Sequence, residues 1–220
     1  MKTEKQLVNL ETIQQVHADR REDIRNRMAE FENIWKRGTD ADLWEEMVFC
    51  FFTGGCSAKM GLRSVHAVKT LLAEGEQNEL AKALTGVHRY PNARSRYIVA
   101  SRAFLNEHCG MKLRSKLKSF DCHFERRDWL VKEKGIKGLG YKEASHYLRN
   151  IGFLGYAILD KHVLRCLYEL GIIEEPKPPN TRSTYLRVEE KLKQLADKTG
   201  IDFDELDLVL WSMKTGEILK

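Results

Sequence analysis

Proline is scarce in this sequence: four residues in 220, three of them packed into Pro176-Lys177-Pro178-Pro179. Elsewhere only Pro91 interrupts the chain, so long stretches are open to helix. No stretch alternates apolar and polar residues as a half-buried strand does, and there is no internal repeat or low-complexity segment. No apolar run is long enough to cross a bilayer and no signal peptide is present, so a cytoplasmic protein is expected. The five cysteines (Cys50, Cys56, Cys109, Cys122, Cys166) are odd in number and show no CxxC spacing. That excludes a disulfide framework and implies a reducing compartment with mostly buried thiols. The seven histidines are scattered without metal-ligand spacing, so neither a metal nor a cofactor is expected. Neither sign of charge dominates: 37 Lys+Arg stand against 32 Asp+Glu, a net +5, which permits nucleic acid binding without establishing it. With 42% hydrophobic residues the chain can bury a core for one large domain or two small lobes.

What remains is helical in pattern. Leu7, Leu10 and Ile13 form one stripe and Ile24, Met28, Phe31 and Trp35 another, with the charged His17–Asp23 between them, so one long helix or two both fit. Thr39, Asp40 or Asp42 caps a second helix carrying Phe49-Cys50-Phe51-Phe52, the most hydrophobic run and an expected lobe centre. Gly54-Gly55 breaks it, and Ser57 caps a helix from about Ala58 to Leu72. A short helix follows from Glu79 to Leu84, then a loop, and Pro91 opens the next helix, which ends at Gly110. Lys112, Arg114, Lys116 and Lys118 read as a solvated face. The last two helices are expected over Ser183–Thr199, with Val188, Leu192 and Leu195 inward, and over Asp202–Met213.

The densest chemistry lies in residues 131–165. A helix from about Phe124 runs into Gly135-Ile136-Lys137-Gly138-Leu139-Gly140, and a second helix starts near Tyr141 with Ala144, Tyr147, Leu148 and Ile151 on one face. Glycines at alternate positions allow positive φ and close approach of another molecule. The exposed amides and the following helix N-terminus make an anion site, and beside so many lysines the anion expected is DNA phosphate. Lys142 stands in the first turn of the second helix and Asp160 lies 18 residues on, at the start of the next. A neutral lysine amine there can attack a sugar C1′ and form a Schiff base. A carboxylate can stabilise the cationic sugar or move protons. Each residue also has a plainer reading, as a surface lysine and as an N-cap.

Ile136-Lys137-Gly138-Leu139-Gly140-Tyr141-Lys142-Glu143-Ala144 with Leu159-Asp160-Lys161-His162-Val163-Leu164-Arg165 resembles the helix-hairpin-helix DNA glycosylases. Within them it is most similar to the type-2 8-oxoguanine DNA glycosylase/lyase family of archaea and some bacteria. Val48–Thr53 with Ser57-Ala58, His88-Arg89-Tyr90-Pro91, and Leu210-Trp211 through Lys220 carry the same resemblance over nearly the whole chain. It implies an all-α fold of two lobes about a cleft. One lobe would span residues 40–150 and contain the hairpin (about 124–151). The other would combine residues 1–39 and 151–220. Lys142 and Asp160 would face each other across the cleft. Some members carry a four-cysteine iron–sulfur cluster near the C-terminus, but nothing after Cys166 supplies one here.

The resemblance also implies the activity: extrusion and removal of 8-oxoguanine from double-stranded DNA, then β-elimination at the abasic site through a Lys142 Schiff base supported by Asp160. A monomer, held at the nucleoid through DNA, is expected. Gly138, Gly140 and Lys137 would hold the DNA backbone. Trp211 would line the base pocket and stack on the flipped base, although core packing beside Leu210 is an equal reading. Tyr90 would stack on the base or pack under Pro91. Lys220, where the family also ends in lysine, would recognise the lesion. Guanine N7 is an acceptor, whereas 8-oxoguanine carries hydrogen there and donates. A fixed acceptor such as a terminal carboxylate therefore favours the lesion, a difference of a few kcal/mol. The polar residue that fills the gap left by the base is sought among Gly54, Gly55, Cys56 and Ser57. Two alternatives remain: a glycosylase for another damaged or mispaired base, and a non-catalytic helix-hairpin-helix binding module.

Overall fold

A computed structural model describes residues 8–220, and Leu7 lies outside them. Among the described residues there are eleven α-helices, one short 3-10 turn and no strand. The chain divides into two compact units, Phe31–Phe153, and Leu154–Lys220 with the described N-terminal residues up to Glu30.

The first helix, α1 (Leu10–Arg37), is one continuous element. Its charged middle is solvent-facing while Ile13, Val16, Ile24 and Phe31 are buried. Leu10 falls outside that stripe and is exposed.

The Phe31–Phe153 unit is built around α2 (Asp40–Thr53). Thr39 and Asp42 form a capping box: the Thr39 backbone N–H donates to Asp42 Oδ2 at 2.7 Å, and the Asp42 N–H donates to the Thr39 hydroxyl at 3.3 Å. The Thr39 backbone N–H, with the Thr39 hydroxyl, holds the Asp42 carboxyl below its ordinary pKa. From Glu46 to Thr53 every residue of α2 is buried, so this helix is covered on all sides. Each large side chain here, such as Phe49 or Phe51, contributes about 1.5–3 kcal/mol by leaving water. Around it pack α3 (Ala58–Val68), α5 (Pro91–Cys109), α6 (Leu113–Lys118) and α8 (Tyr141–Asn150), with α4 (Gln77–Leu84) on α5 and α7 (His123–Lys132) on α8. The helix expected over Ala58 to Leu72 ends at Val68 and tightens into a 3-10 turn, Lys69–Leu71.

Four arginines donate to backbone carbonyls at or just after helix ends. Arg114 donates to the carbonyls of Trp35, Ile34 and Gly38 at the end of α1, and its own N–H goes to Asp40 Oδ1 at 2.7 Å. Arg94 donates to Gly54 O after α2. Arg102 donates to Leu71, Leu72 and Gly75, the last at 2.7 Å. Arg126 donates to Leu117 and Phe120 at 2.9 and 2.7 Å. The basic run at 112–118 is therefore not one solvated face. Leu113 and Leu117 are buried, Arg114 ties off α1, and Lys116 lies over the rings of Phe120 and Trp129.

In the other unit, α9 (Lys161–Glu169), α10 (Arg182–Thr199) and α11 (Phe203–Thr215) pack with the start of α1. On α10 the inward stripe is Tyr185, Glu189, Leu192, Leu195 and Ala196, and Val188 is only half-buried. An acid therefore occupies an inward position where the apolar pattern favoured valine.

Arg114→Met keeps the aliphatic stem but removes the guanidinium donors to the Trp35, Ile34 and Gly38 carbonyls. Its unfolding free energy in urea should fall by about 2–3 kcal/mol, and a fall below half a kcal/mol would contradict the capping role.

Candidate active site

The hairpin lies on one face of α5. Tyr97, Ser101 and Phe104 are spaced four and three apart, so they share that face. The Lys137 backbone N–H donates to the buried Ser101 hydroxyl at 2.9 Å. A Cβ on Gly138 would stand 2.5 Å from the Tyr97 ring, and one on Gly135 2.0 Å from the Phe104 ring. Gly138 also has φ +80°, so two independent constraints demand glycine there. Ile136 and Leu139 point into the core, while Lys137, Gly138 and Gly140 face solvent. The amide of Lys137 is thus committed to Ser101, and only its side chain is offered outward.

Gly140 is the N-cap of α8 and brings no capping side chain. Tyr141 is steadied by its hydroxyl, which donates to Asp128 Oδ1 at 3.1 Å. Lys142 is the second residue of the helix. Its Nζ lies 3.1 Å from Glu143 Oε1, and both side chains are largely covered, 23% and 16% exposed. This is an ion pair, not the freely solvated lysine of a plain helix end.

Tyr90 belongs to the same neighbourhood through Arg94. The Arg94 guanidinium lies 5.7 Å from the centre of the Tyr90 ring and donates to Gly54 O. Tyr90 is 41% exposed, and its backbone N–H donates to His88 Nδ1 at 2.9 Å. With Nδ1 accepting, the His88 Nε2 is the protonated nitrogen and donates to Phe52 O at 3.1 Å. Burial, against that hydrogen bond, lowers the pKa of His88 and keeps it neutral. His88 had no assigned part in the sequence. Its function is to pin the Tyr90 loop to the end of α2.

Asp160 is the N-cap of α9: its Oδ1 accepts from the backbone N–H groups of His162 and Val163 at 2.8 and 2.9 Å. The strap before it, Tyr156–Leu159, is buried without belonging to a helix, so its polar backbone must be satisfied by side chains. Glu189 Oε2 accepts from Ala157 N–H at 3.0 Å. The Tyr185 hydroxyl donates to Ala157 O at 2.7 Å and accepts from Leu159 N–H at 3.4 Å. Asp204 accepts from Gly155 N–H at 2.6 Å. These three residues fix the strap that delivers Asp160. None was identifiable in the sequence, because each acts through space on backbone 26 to 49 positions away.

Trp211 on α11 is half-buried rather than packed in the core, and stands edge-on to His162 at 6.3 Å between ring centres. Burial lowers the pKa of His162 despite the opposing Asp160 charge. Lys214 pairs with Glu169 at 2.6 Å, and the left-handed Gly216 then starts the tail in which Lys220 is half-buried. In the turn after α2, Gly55 takes φ +73° and is exposed. Among the described residues no three His, Cys, Asp or Glu side chains gather as a metal site, and no helix is long and apolar enough to cross a membrane.

The family model Ogg-HhH, 8-oxoguanine DNA glycosylase, matches residues 24–201. The chain belongs to this family. A protein of the archaeon Korarchaeum cryptofilum named 8-oxoguanine DNA glycosylase/AP lyase is 42% identical over 201 residues, 91% of either chain. One of the same name from Fusobacterium nucleatum is 35% identical, with 94% of this chain and 96% of that one covered. The crystal structure of the 8-oxoguanine DNA glycosylase of Thermotoga maritima superposes with a TM-score of 0.87 at 35% identity, over 96% of this chain and 98% of that one. The Methanocaldococcus jannaschii 8-oxoguanine glycosylase/lyase, crystallised with a 15mer DNA containing 8-oxoguanine, gives 0.87 at 31%, over 96% and 99%. The glycine hairpin, Lys142 and Asp160 all lie inside the matched residues 24–201.

Tyr185→Phe removes one donor and one acceptor from the buried strap. Stability in urea should fall by about 1–3 kcal/mol, with faster amide exchange at Ala157–Asp160. Unchanged exchange there would show that the strap holds without Tyr185.

Proposed function

We propose that this protein is a bifunctional repair enzyme that removes 8-oxoguanine from double-stranded DNA and cleaves the abasic site that results. One observation carries the reading. A lysine stands at the second position of the helix after the glycine hairpin, in a chain matching the Methanocaldococcus jannaschii glycosylase/lyase over 96% of its length.

The chemistry follows from the residues. Gly138 and Gly140 present backbone without Cβ at the start of α8, where first-turn N–H groups and the helix dipole favour a phosphate. The exposed Lys137 side chain adds charge. The damaged nucleotide is turned out of the stack at a cost of a few kcal/mol. Tyr90 and Trp211 offer aromatic faces to it, and an oxygen of Lys220 accepts the N7–H that distinguishes 8-oxoguanine from guanine. Lys142 Nζ attacks C1′ as the base departs. The Schiff base then acidifies the C2′ protons and β-elimination breaks the strand 3′ to the lost base. Asp160 uses Oδ1 to cap α9, which fixes its carboxylate, and Oδ2 balances the cationic sugar. The reading takes the protein as a cytoplasmic monomer acting on chromosomal DNA.

Lys142→Gln should lose base release by about 10³-fold or more and yield no covalent adduct when a duplex with one 8-oxoguanine is treated with borohydride, while wild type yields one. Base release that persists in Lys142→Gln, with no adduct from wild type, would mean attack by water. Tight binding with neither release nor adduct in wild type would point to another lesion or a binding module.

A further inference from the structure

We propose that Glu143 is a catalytic residue, the proton acceptor that converts the Lys142 ammonium into the attacking amine. This rests on the reading of Lys142 as nucleophile. Consecutive residues on a helix point about 100° apart and do not normally meet. Lys142 and Glu143 do meet, at 3.1 Å, and both are largely covered. Two glycines leave room for the carboxylate. Glu143 Oε2 is 3.2 Å from where a Cβ on Gly140 would stand, and Oε1 is 3.6 Å from the same point on Gly54. The carboxylate thus sits where the hairpin, the turn after α2 and the reacting nitrogen converge. Arg94 from α5 faces the same place, a guanidinium nitrogen lying 3.2 Å from the Gly54 point, and donates to Gly54 O.

An ammonium has no lone pair and cannot attack carbon. At hydrogen-bond distance a proton passes from Nζ to Oε1 without any atom travelling. Bound DNA that excludes water removes the solvation favouring the charged pair, which moves the balance toward neutral amine and carboxylic acid. The Nζ lone pair then forms the bond to C1′. The C1′–N9 pair leaves with the base, and the proton held on Glu143 passes to that base, so 8-oxoguanine departs neutral and the carboxylate is restored.

The test is single-turnover base release and borohydride trapping on the 8-oxoguanine duplex, with duplex Kd measured alongside. Glu143→Gln keeps the size and an oxygen acceptor for Nζ but cannot take a proton. Its rate should fall about 100-fold at little-changed Kd. Glu143→Ala should be slow as well and partly rescued by added formate, which supplies the missing carboxylate. A Glu143→Gln rate equal to or above wild type, a loss matched by weakened binding, or no rescue by formate would overturn the proposal. Lys142→Gln in the same assay separates the two ideas. No adduct there, with Glu143→Gln unimpaired, sinks only the role of Glu143. An adduct that survives Lys142→Gln sinks the nucleophile and its acceptor together.

Discussion

The contact between the glycine hairpin and one face of α5 is the constraint on which the candidate site depends. Gly135 and Gly138 lie so close to the rings of Phe104 and Tyr97 that any Cβ would clash, and Ser101 between them takes the Lys137 amide. A hairpin seated by backbone against aromatic rings cannot slide, since the interior is packed too densely to yield by even a methyl group. The start of α8, and with it Lys142, is set by this contact rather than by a capping side chain.

The same economy recurs elsewhere. Arg94, Arg102, Arg114 and Arg126 spend their guanidinium groups on helix-end carbonyls, so four of the 37 basic residues are architectural. Arg94 joins architecture to the site, holding the turn after α2 while lying beside Tyr90 and Glu143. In the other unit a buried strap without regular structure is held by Tyr185, Glu189 and Asp204, and ends in the Asp160 cap. In each unit, then, the start of one helix, α8 with Lys142 or α9 with Asp160, is fixed by side chains from another element.

What was legible in the sequence was local. The hairpin, the buried Phe49–Phe52 run, the Ser57 and Asp160 caps and the Pro91 helix start are written within a few residues of one another, and the structure has all of them; of Thr39, Asp40 and Asp42, it is Thr39 that caps α2. What was hidden acts over distance. Arg114 reads as one more charge in a basic run until its partners 76 to 80 positions earlier are seen. Glu189 breaks an apolar pattern because it serves the Ala157 amide, and no periodicity reports that. Glu143 appeared only inside the hairpin motif, and its 3.1 Å approach to Lys142 is visible only in the structure.

The central claim is that Lys142 is the atom-for-atom point of attachment to DNA. The most direct measurement is peptide mapping by mass spectrometry of the borohydride-reduced wild-type adduct on an 8-oxoguanine duplex. The account predicts a single modified peptide with the sugar remnant on Nζ of Lys142. Attachment at another amine, such as Lys137, Lys214 or Lys220, would contradict it.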